Sequence, residues 1–318
     1  MSMGEFELIA KYFAGAPVRR TLLGIGDDCA LLGSDAAEWS TAVTTDMLVS
    51  GRHFLPSVDP ESLGHKALAV NLSDLAAMGA TPDSFTLALA LPEVDEPWLA
   101  AFARGLLNLA RARDCELVGG DTTRGPLTIC ITAIGKVPGR LALRRDRALP
   151  GDDLWVSGEL GAAAFAVREA AAGRPLPDRH PARRRLDWPE PRIELGRALL
   201  GLAHAALDVS DGLAGDVRHI IERSGVGVRI DWESVPLADC LAGEPEAERM
   251  RLGLSGGDDY ELLFTAPVES RLRIEEVAAG LGLRLTRIGC VSGGRQCAIV
   301  DAHGRGIGTR LGGYDHFG

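Results

Sequence analysis

Nine aspartates occur in short runs flanked by glycine or serine, most of them at the ends of apolar, strand-like segments. The runs are GIGDDCALL (Asp27, Asp28), VTTDMLVSG (Asp46), NLSDLAAMG (Asp74), LVGGDTTRG (Asp121), LDVSDGL (Asp208, Asp211) and LSGGDDYELLF (Asp258, Asp259). A fold that gathers them must relieve a repulsion of about 4 kcal/mol for each pair 4 Å apart at an effective dielectric near 20. Either some carboxyls stay protonated or cations sit between them. Small flanking residues also open backbone N–H groups to anionic oxygens. Carboxylates beside open amides suit Mg²⁺ and phosphate.

At 318 residues, 46% hydrophobic and 25% charged, the chain has material for roughly two domains and a sizeable core. A formal charge of −10 argues against nucleic acid as a partner, since that needs clustered Lys and Arg. Six cysteines (Cys29, Cys115, Cys130, Cys240, Cys290, Cys297) show no CxxC pairing or zinc spacing, which predicts reduced core thiols. The N-terminal MSMGEFELIAKYF lacks the basic region and apolar core of a signal peptide. No uninterrupted apolar run approaches about 18 residues, so the expectation is no membrane span and a cytoplasmic location.

Strands and helices alternate through the first half. CALL, STAVTTDMLV, DSFTLALALP, CELVGG and LTICITAIGKV read as strands, short and bounded by polar or glycine punctuation. Leu63, Ala67, Val70 and Asp74, spaced by three or four, predict a helix from Pro60 that Gly79 and Pro82 stop. PWLAAFARGLLNLARARD reads as an amphipathic helix. The basic, proline-ended GRLALRRDRALPGDD marks a domain boundary near Arg140 to Pro150. A second block follows, with strands at DLWVSG, HAALDVS, GVGVRIDW, YELLFTA, LRLTRIGCV and CAIVDAHG. Helices are expected between DLWVSG and HAALDVS, at Asp211 to Arg223 and from about Val268 to Leu281. Gly173 to Arg185, rich in Arg and Pro, predicts a mobile loop, and Glu244 to Arg251 a polar stretch.

Known nucleotide and metal patterns fail. There is no GxxxxGK[ST], GIGDDC supplies two of three Rossmann glycines, and LDVSDGLAGD has the wrong spacing for an EF-hand. GLSGG matches the GxSxG nucleophile elbow with Ser255 at the serine position, but that motif needs strand, turn, then helix. Each aspartate run has an alternative. Asp27 and Asp28 suit a solvated turn, Asn71 and Asp74 a helix–helix hydrogen bond, and GGDTT a tight turn. Ser210 or Asp211 could be a plain N-cap at a helix start that is also a phosphate site. Thr44, Thr45 and Asp46 offer oxygens for a hard cation, whereas a histidine such as His53 is commonly structural.

In this order the segments GEFELIAKYF, GIGDDCALL, TDMLVSGRHF, HKALAVNLSDLAAMGA, GGDTTRGPL, DVSDGL, SGGDDYELLF and GYDHF resemble the thiamine-monophosphate kinase family. That family belongs to a superfamily with aminoimidazole ribonucleotide and selenophosphate synthetases. The resemblance implies an α+β fold of two domains, residues 1–140 and 150–318. The first would be a mixed α/β domain whose sheet pairs in a homodimer, the second an α/β domain, with the active site in the cleft between them. It also implies Mg²⁺-dependent phosphorylation of thiamine monophosphate by ATP. Carried over residue by residue, Asp27, Asp28, Thr44, Thr45, Asp46, Asp74, Asp121, Asp208 and Asp211 would surround several Mg²⁺ ions. Thr45, Gly120, Asp121, Arg145 and Ser210 would contact ATP. His53, Asp258 and Leu311 would contact thiamine monophosphate. The family often has Glu where Asp258 stands and an aromatic residue, commonly Trp, at Leu311. Alternatives are a purine-precursor synthetase of the same superfamily and a non-catalytic nucleotide-binding protein.

Overall fold

The computed structural model describes residues 4–13, 21–33, 38–138 and 140–307. After α1 (Glu5–Tyr12), the first half builds a six-stranded sheet from β1 (Thr21–Leu23), β2 (Ala30–Leu32), β3 (Trp39–Val49), β4 (Thr81–Leu91), β5 (Glu116–Arg124) and β6 (Thr128–Pro138). Its strand order is β1-β2-β3-β6-β4-β5, antiparallel except for the parallel β4–β5 pair at the edge. In β3, Ser40, Ala42, Thr44 and Leu48 share the buried face, with the period of two a half-covered strand requires. β5 is longer than CELVGG alone suggests, running through both glycines and Asp121 to Arg124, and all nine of its residues are exposed.

Two helices complete this half, α2 (Pro60–Ala77) and α3 (Glu96–Ala112). Asp59 caps α2 by accepting the Ser62 N–H at 2.9 Å, with proline in the first turn, as an N-terminus prefers. Fourteen of its eighteen residues are buried, so α2 is covered on nearly every side. Paired glycines let α3 cross it closely: a Cβ on Gly64 would lie 2.0 Å from Phe102 O, and one on Gly105 1.8 Å from Glu61 O.

The second half supplies β7 (Asp153–Ser157), α4 (Ala162–Ala171), α5 (Pro181–Asp187), α6 (Ile193–Ala198), β8 (Ala205–Val209), α7 (Leu213–Ser224) and β9 (Gly227–Asp231). It continues with α8 (Glu246–Ser255), β10 (Glu261–Ala266), α9 (Arg271–Leu281), β11 (Leu285–Ser292) and β12 (Cys297–Val300). These strands form a second sheet, ordered β12-β9-β11-β7-β10-β8. β7, β8 and β10 are buried throughout, because the sheet is packed on both faces. Trp155, Ala206, Leu262 and Phe264 join one core with α2 and the first sheet, while Leu154, Val156, Leu207 and Leu263 join another on the opposite face. α2 is thus wedged between the sheets.

Two expectations are corrected. Gly173 to Arg185 is not wholly a loop: α5 starts at Pro181, its first turn bonded by the Ala182 N–H to His180 Nδ1 at 3.2 Å. Its arginines are used locally, Arg183 on Asp187 and Arg185 on Glu261. The polar stretch from Glu244 turns helical at Glu246, where α8 begins, and Glu244 and Glu248 both pair with Arg168 of α4. All six cysteines are free, but only Cys29 and Cys115 are buried in the core; Cys130, Cys240 and Cys290 are half-buried and Cys297 is exposed. Among the described residues, no helix is long and apolar enough to cross a membrane.

Candidate active site

Three of the aspartate runs converge where the halves meet. Carboxylate oxygens of Asp28, Asp74 and Asp208 lie within 4.8 Å of one another. Asp28 comes from the turn before β2, Asp74 from the last turn of α2 and Asp208 from β8 of the second sheet. Each has one internal donor group: Arg145 on Asp28, Thr44 on Asp74, and Ser73 on Asp208 at 2.7 Å. Asn71 accepts the Asp46 N–H at 3.1 Å, so the polar pair of α2 ties to β3 rather than to another helix.

Desolvation and mutual repulsion push up the carboxyls of Asp27, Asp46, Asp74 and Asp208. Asp208 reaches about 8 through burial and then Asp28. Asp27 rises to about 7 through burial and then Asp28, and Asp46 to about 6 through burial and then Asp211 and Asp28. Asp74, part of its surface open, is still raised well above the carboxylate range because surrounding protein strips its water. Three carboxylate oxygens at this spacing, those of Asp74 and Asp208 on carboxyls that burial pushes up, fit a hard divalent cation. Thr44 shares this face, whereas Thr45 points to the opposite, exposed face and meets Thr132 Oγ1 at 2.9 Å. Thr45 can reach the cluster through its backbone alone.

Arg145 supplies a cation within the cluster. Its Nε lies 3.1 Å from Asp28 Oδ2, Nη2 donates to Oδ1, and its backbone N–H donates to Asp27 Oδ2 at 3.1 Å. Neither aspartate side chain is exposed, so the two carboxylates of GIGDD are buried and bonded rather than solvated, while Ile25 beside them is exposed.

At the turn from β8 into α7, the N–H groups of Ser210, Asp211 and Gly212 converge on Asp216 Oδ2 at 3.1, 3.1 and 3.0 Å. These are the amides a helix start would offer a phosphate, and Asp216 occupies them. The N-cap is Gly212, neither Ser210 nor Asp211. LAGDV carried no pattern that singled out Asp216; its role arises only from folding.

Asp258 adopts φ +68 beside this turn, donating its N–H to Ser210 O at 2.8 Å. Its Oδ1 meets Lys66 Nζ at 3.0 Å and accepts the Tyr260 hydroxyl at 2.9 Å. Lys66 is a buried lysine in an apolar helix, and its place in HKALAV is the one sequence signal that points to it. Asp259 turns the other way, both oxygens 3.0 Å from the Gly161 N–H, a structural brace. Ser255 ends a helix that leads to a strand, the reverse of a nucleophile elbow, so the GxSxG reading fails.

Other expected residues lie apart. Along the sheet register Asp46 faces Ile131, Ile131 faces Leu87, and Leu87 faces Gly120. Three inter-strand steps put Gly120 and Asp121 on the order of 14 Å from β3. Gly120, at φ +147, is required because a Cβ would sit 1.8 Å from Leu87 O. Its glycine therefore serves strand approach, with no phosphate needed to explain it. His53, in the turn after β3, accepts the Val49 N–H on Nδ1 at 2.9 Å. Leu311 and the GYDHF segment lie outside the described residues.

Residues 26–137 match the AIR synthase related protein N-terminal domain, and residues 149–302 the C-terminal domain. The thiamine-monophosphate kinase of Salmonella typhimurium is 45% identical over 323 residues, covering 100% of this chain and 99% of its own. The crystal structure of the Stenotrophomonas maltophilia thiamine-monophosphate kinase superposes with TM-score 0.80 at 46% identity, covering 96% of this chain and 99% of that one. A structure described as AaThiL complexed with AMPPCP and TMP gives TM-score 0.85 at 30% identity, covering 99% and 97%. On fold, carboxylate cluster and full-length similarity together, the chain belongs to the thiamine-monophosphate kinase family.

Proposed function

We propose that this protein phosphorylates thiamine monophosphate to thiamine diphosphate with ATP. The observation that carries the reading is the inter-sheet aspartate triad in a chain matching, over 99% of its length, a relative described in complex with AMPPCP and TMP. A phosphate oxygen of the acceptor bonds to the γ-phosphorus as the β–γ bridge breaks and ADP leaves. With a second pKa of about 6 the acceptor phosphate is already deprotonated at neutral pH, so no side chain need take a proton.

Asp28, Asp74 and Asp208 would hold Mg²⁺, with Asp27, Asp46, Asp211, the Thr44 hydroxyl and the Thr45 backbone around them. Bound there, the ion would neutralise charge between two anionic reactants. Arg145 orients Asp27 and Asp28 and balances their charge. Its guanidinium could meet ATP only by sharing with, or leaving, Asp28. Gly120, Asp121 and Ser210 are assigned to the nucleotide, and His53, Asp258 and Leu311 to thiamine monophosphate. The exposed edge strand β5, with Leu117 and Val118 open to solvent, is the surface on which we place pairing of two copies.

The test is phosphoryl transfer from Mg²⁺·ATP across thiamine, thiamine monophosphate and aminoimidazole precursors. Thiamine diphosphate from thiamine monophosphate alone is expected. Turnover of an aminoimidazole precursor instead would make the chain a purine-precursor synthetase, and ATP binding without product a non-catalytic protein.

A further inference from the structure

Lys66 is 4% exposed on α2, yet among the described residues its ammonium has a single carboxylate partner at hydrogen-bond distance, Asp258. The nearby Asp187 is taken by Arg183. Both side-chain donors to Asp258, Lys66 Nζ at 3.0 Å and Tyr260 OH at 2.9 Å, fall on Oδ1. Asp258 keeps 28% of its side chain exposed, so Oδ2 is the oxygen left for an incoming donor. The backbone enforces this aim. Asp258 and Tyr260 both hold positive φ, +68 and +50, and their N–H groups donate to Ser210 O and Val209 O, each at 2.8 Å.

Lys66 also stands in register with the carboxylate cluster. Seven residues along α2 is almost two turns, so Lys66 and Ser73 share one stripe. Ser73 bonds Asp208 at one end of that stripe and Lys66 bonds Asp258 at the other. One rigid helix therefore sets the spacing between a triad carboxylate and Asp258.

We propose that Lys66 is a positioning residue for the acceptor substrate. It pins Oδ1 of Asp258 so that Oδ2 is presented to the amino N–H of a heteroaromatic ring, the aminopyrimidine part of a substrate whose cationic thiazolium has no N–H to donate. Paired with an ammonium and a hydroxyl, that carboxylate acts as a directed hydrogen-bond acceptor more than as a bare negative charge. The inference rests on the thiamine monophosphate reading and adds a specificity-determining residue to it.

The experiment is steady-state kinetics on Lys66→Met, Lys66→Arg, Asp258→Asn and the double variant Lys66→Met/Asp258→Asn, each varied in thiamine monophosphate and in ATP. Lys66→Met should raise KM for thiamine monophosphate about ten- to a hundredfold, the worth of one charge-assisted hydrogen bond, and leave KM for ATP within about twofold. Lys66→Arg should recover most of the loss. The double variant should be no worse than Asp258→Asn alone. This comparison still decides if Lys66→Met does not fold, because the double variant buries no unpaired charge and the amide oxygen of the single variant Asp258→Asn still accepts from the Lys66 ammonium. An unchanged KM for thiamine monophosphate, an equal rise for ATP, or additive losses would overturn the role of Lys66. Absence of thiamine diphosphate formation in the unaltered enzyme would instead overturn the kinase reading.

Discussion

Arg145 grips both carboxylate oxygens of Asp28, a member of the triad, and does so from the segment that links the two sheets. The guanidinium is therefore the protein's own counter-ion for a cluster that otherwise repels itself. Removing one partner of a buried pair costs about 3–5 kcal/mol, because the other charge is left uncompensated. Arg145→Met should be destabilised by that order in a chelator. Much of the loss should return when Mg²⁺ is added, since the cation then does the same work. Urea unfolding with EDTA and with Mg²⁺ makes the comparison. An identical loss in both would show that Arg145 acts by packing alone.

The raised carboxyls predict an unusual pH dependence. Asp46, Asp27 and Asp208 titrate near about 6, 7 and 8 when folded, against an ordinary value of 3.8. Between those limits the folded chain binds more protons than the unfolded one, so stability falls as pH rises. Their contribution is whole below about 4 and is lost progressively as pH passes through about 8. The melting temperature in EDTA should drop from pH 5 to pH 8.5, and Mg²⁺ should flatten the slope. A chelated protein that grows more stable over that range would contradict the cluster's electrostatics.

Asp216 tests how the turn after β8 is held. Asp216→Ala orphans three amides at once, each costing about 1–3 kcal/mol when buried without a partner. Asp216→Asn keeps one carbonyl oxygen for the same amides and should lose far less. Chemical denaturation of both variants in Mg²⁺ separates them. Equal stability of the two would mean that water satisfies the amides.

Local chemistry was legible wherever it had local causes. The helix from Pro60 showed its start, its spacing and its stop, and STAVTTDMLV showed its strand. What could not be read were contacts closed by distant residues. Arg145 lies more than a hundred residues from Asp28, and Asp258 nearly two hundred from Lys66, so neither pairing leaves a periodic trace. GGDTT is ambiguous for another reason. Glycines that let a strand approach its neighbour look the same in sequence as glycines that let in a phosphate, and the 1.8 Å clash at Gly120 accounts for the first requirement. GLSGG likewise matched an elbow by letters while its surroundings ran helix to strand.

Asp74 and Asp121 belong to runs of similar appearance, yet the fold treats them differently, and paired substitutions should expose that. Asp74 sits in the triad, with its carboxyl pushed up by desolvation, then Asp46 and Asp208. Asparagine there mimics the protonated acid and removes one source of repulsion. Asp74→Asn should therefore be at least as stable as the unaltered protein in EDTA at pH 8. It should gain little from Mg²⁺ and should form no thiamine diphosphate, because a site tuned for a cation is trading stability for function. Asp121 is exposed on β5 across the sheet, so Asp121→Asn should leave stability in EDTA unchanged and keep the Mg²⁺ gain from the triad. If Asp121 serves the nucleotide, its loss should still abolish transfer. Thermal unfolding with and without Mg²⁺, run beside the transfer assay, reads all three quantities for each variant. Loss of the Mg²⁺ gain in Asp121→Asn would mean that the two aspartates share one cation, and near-normal turnover would remove Asp121 from the site.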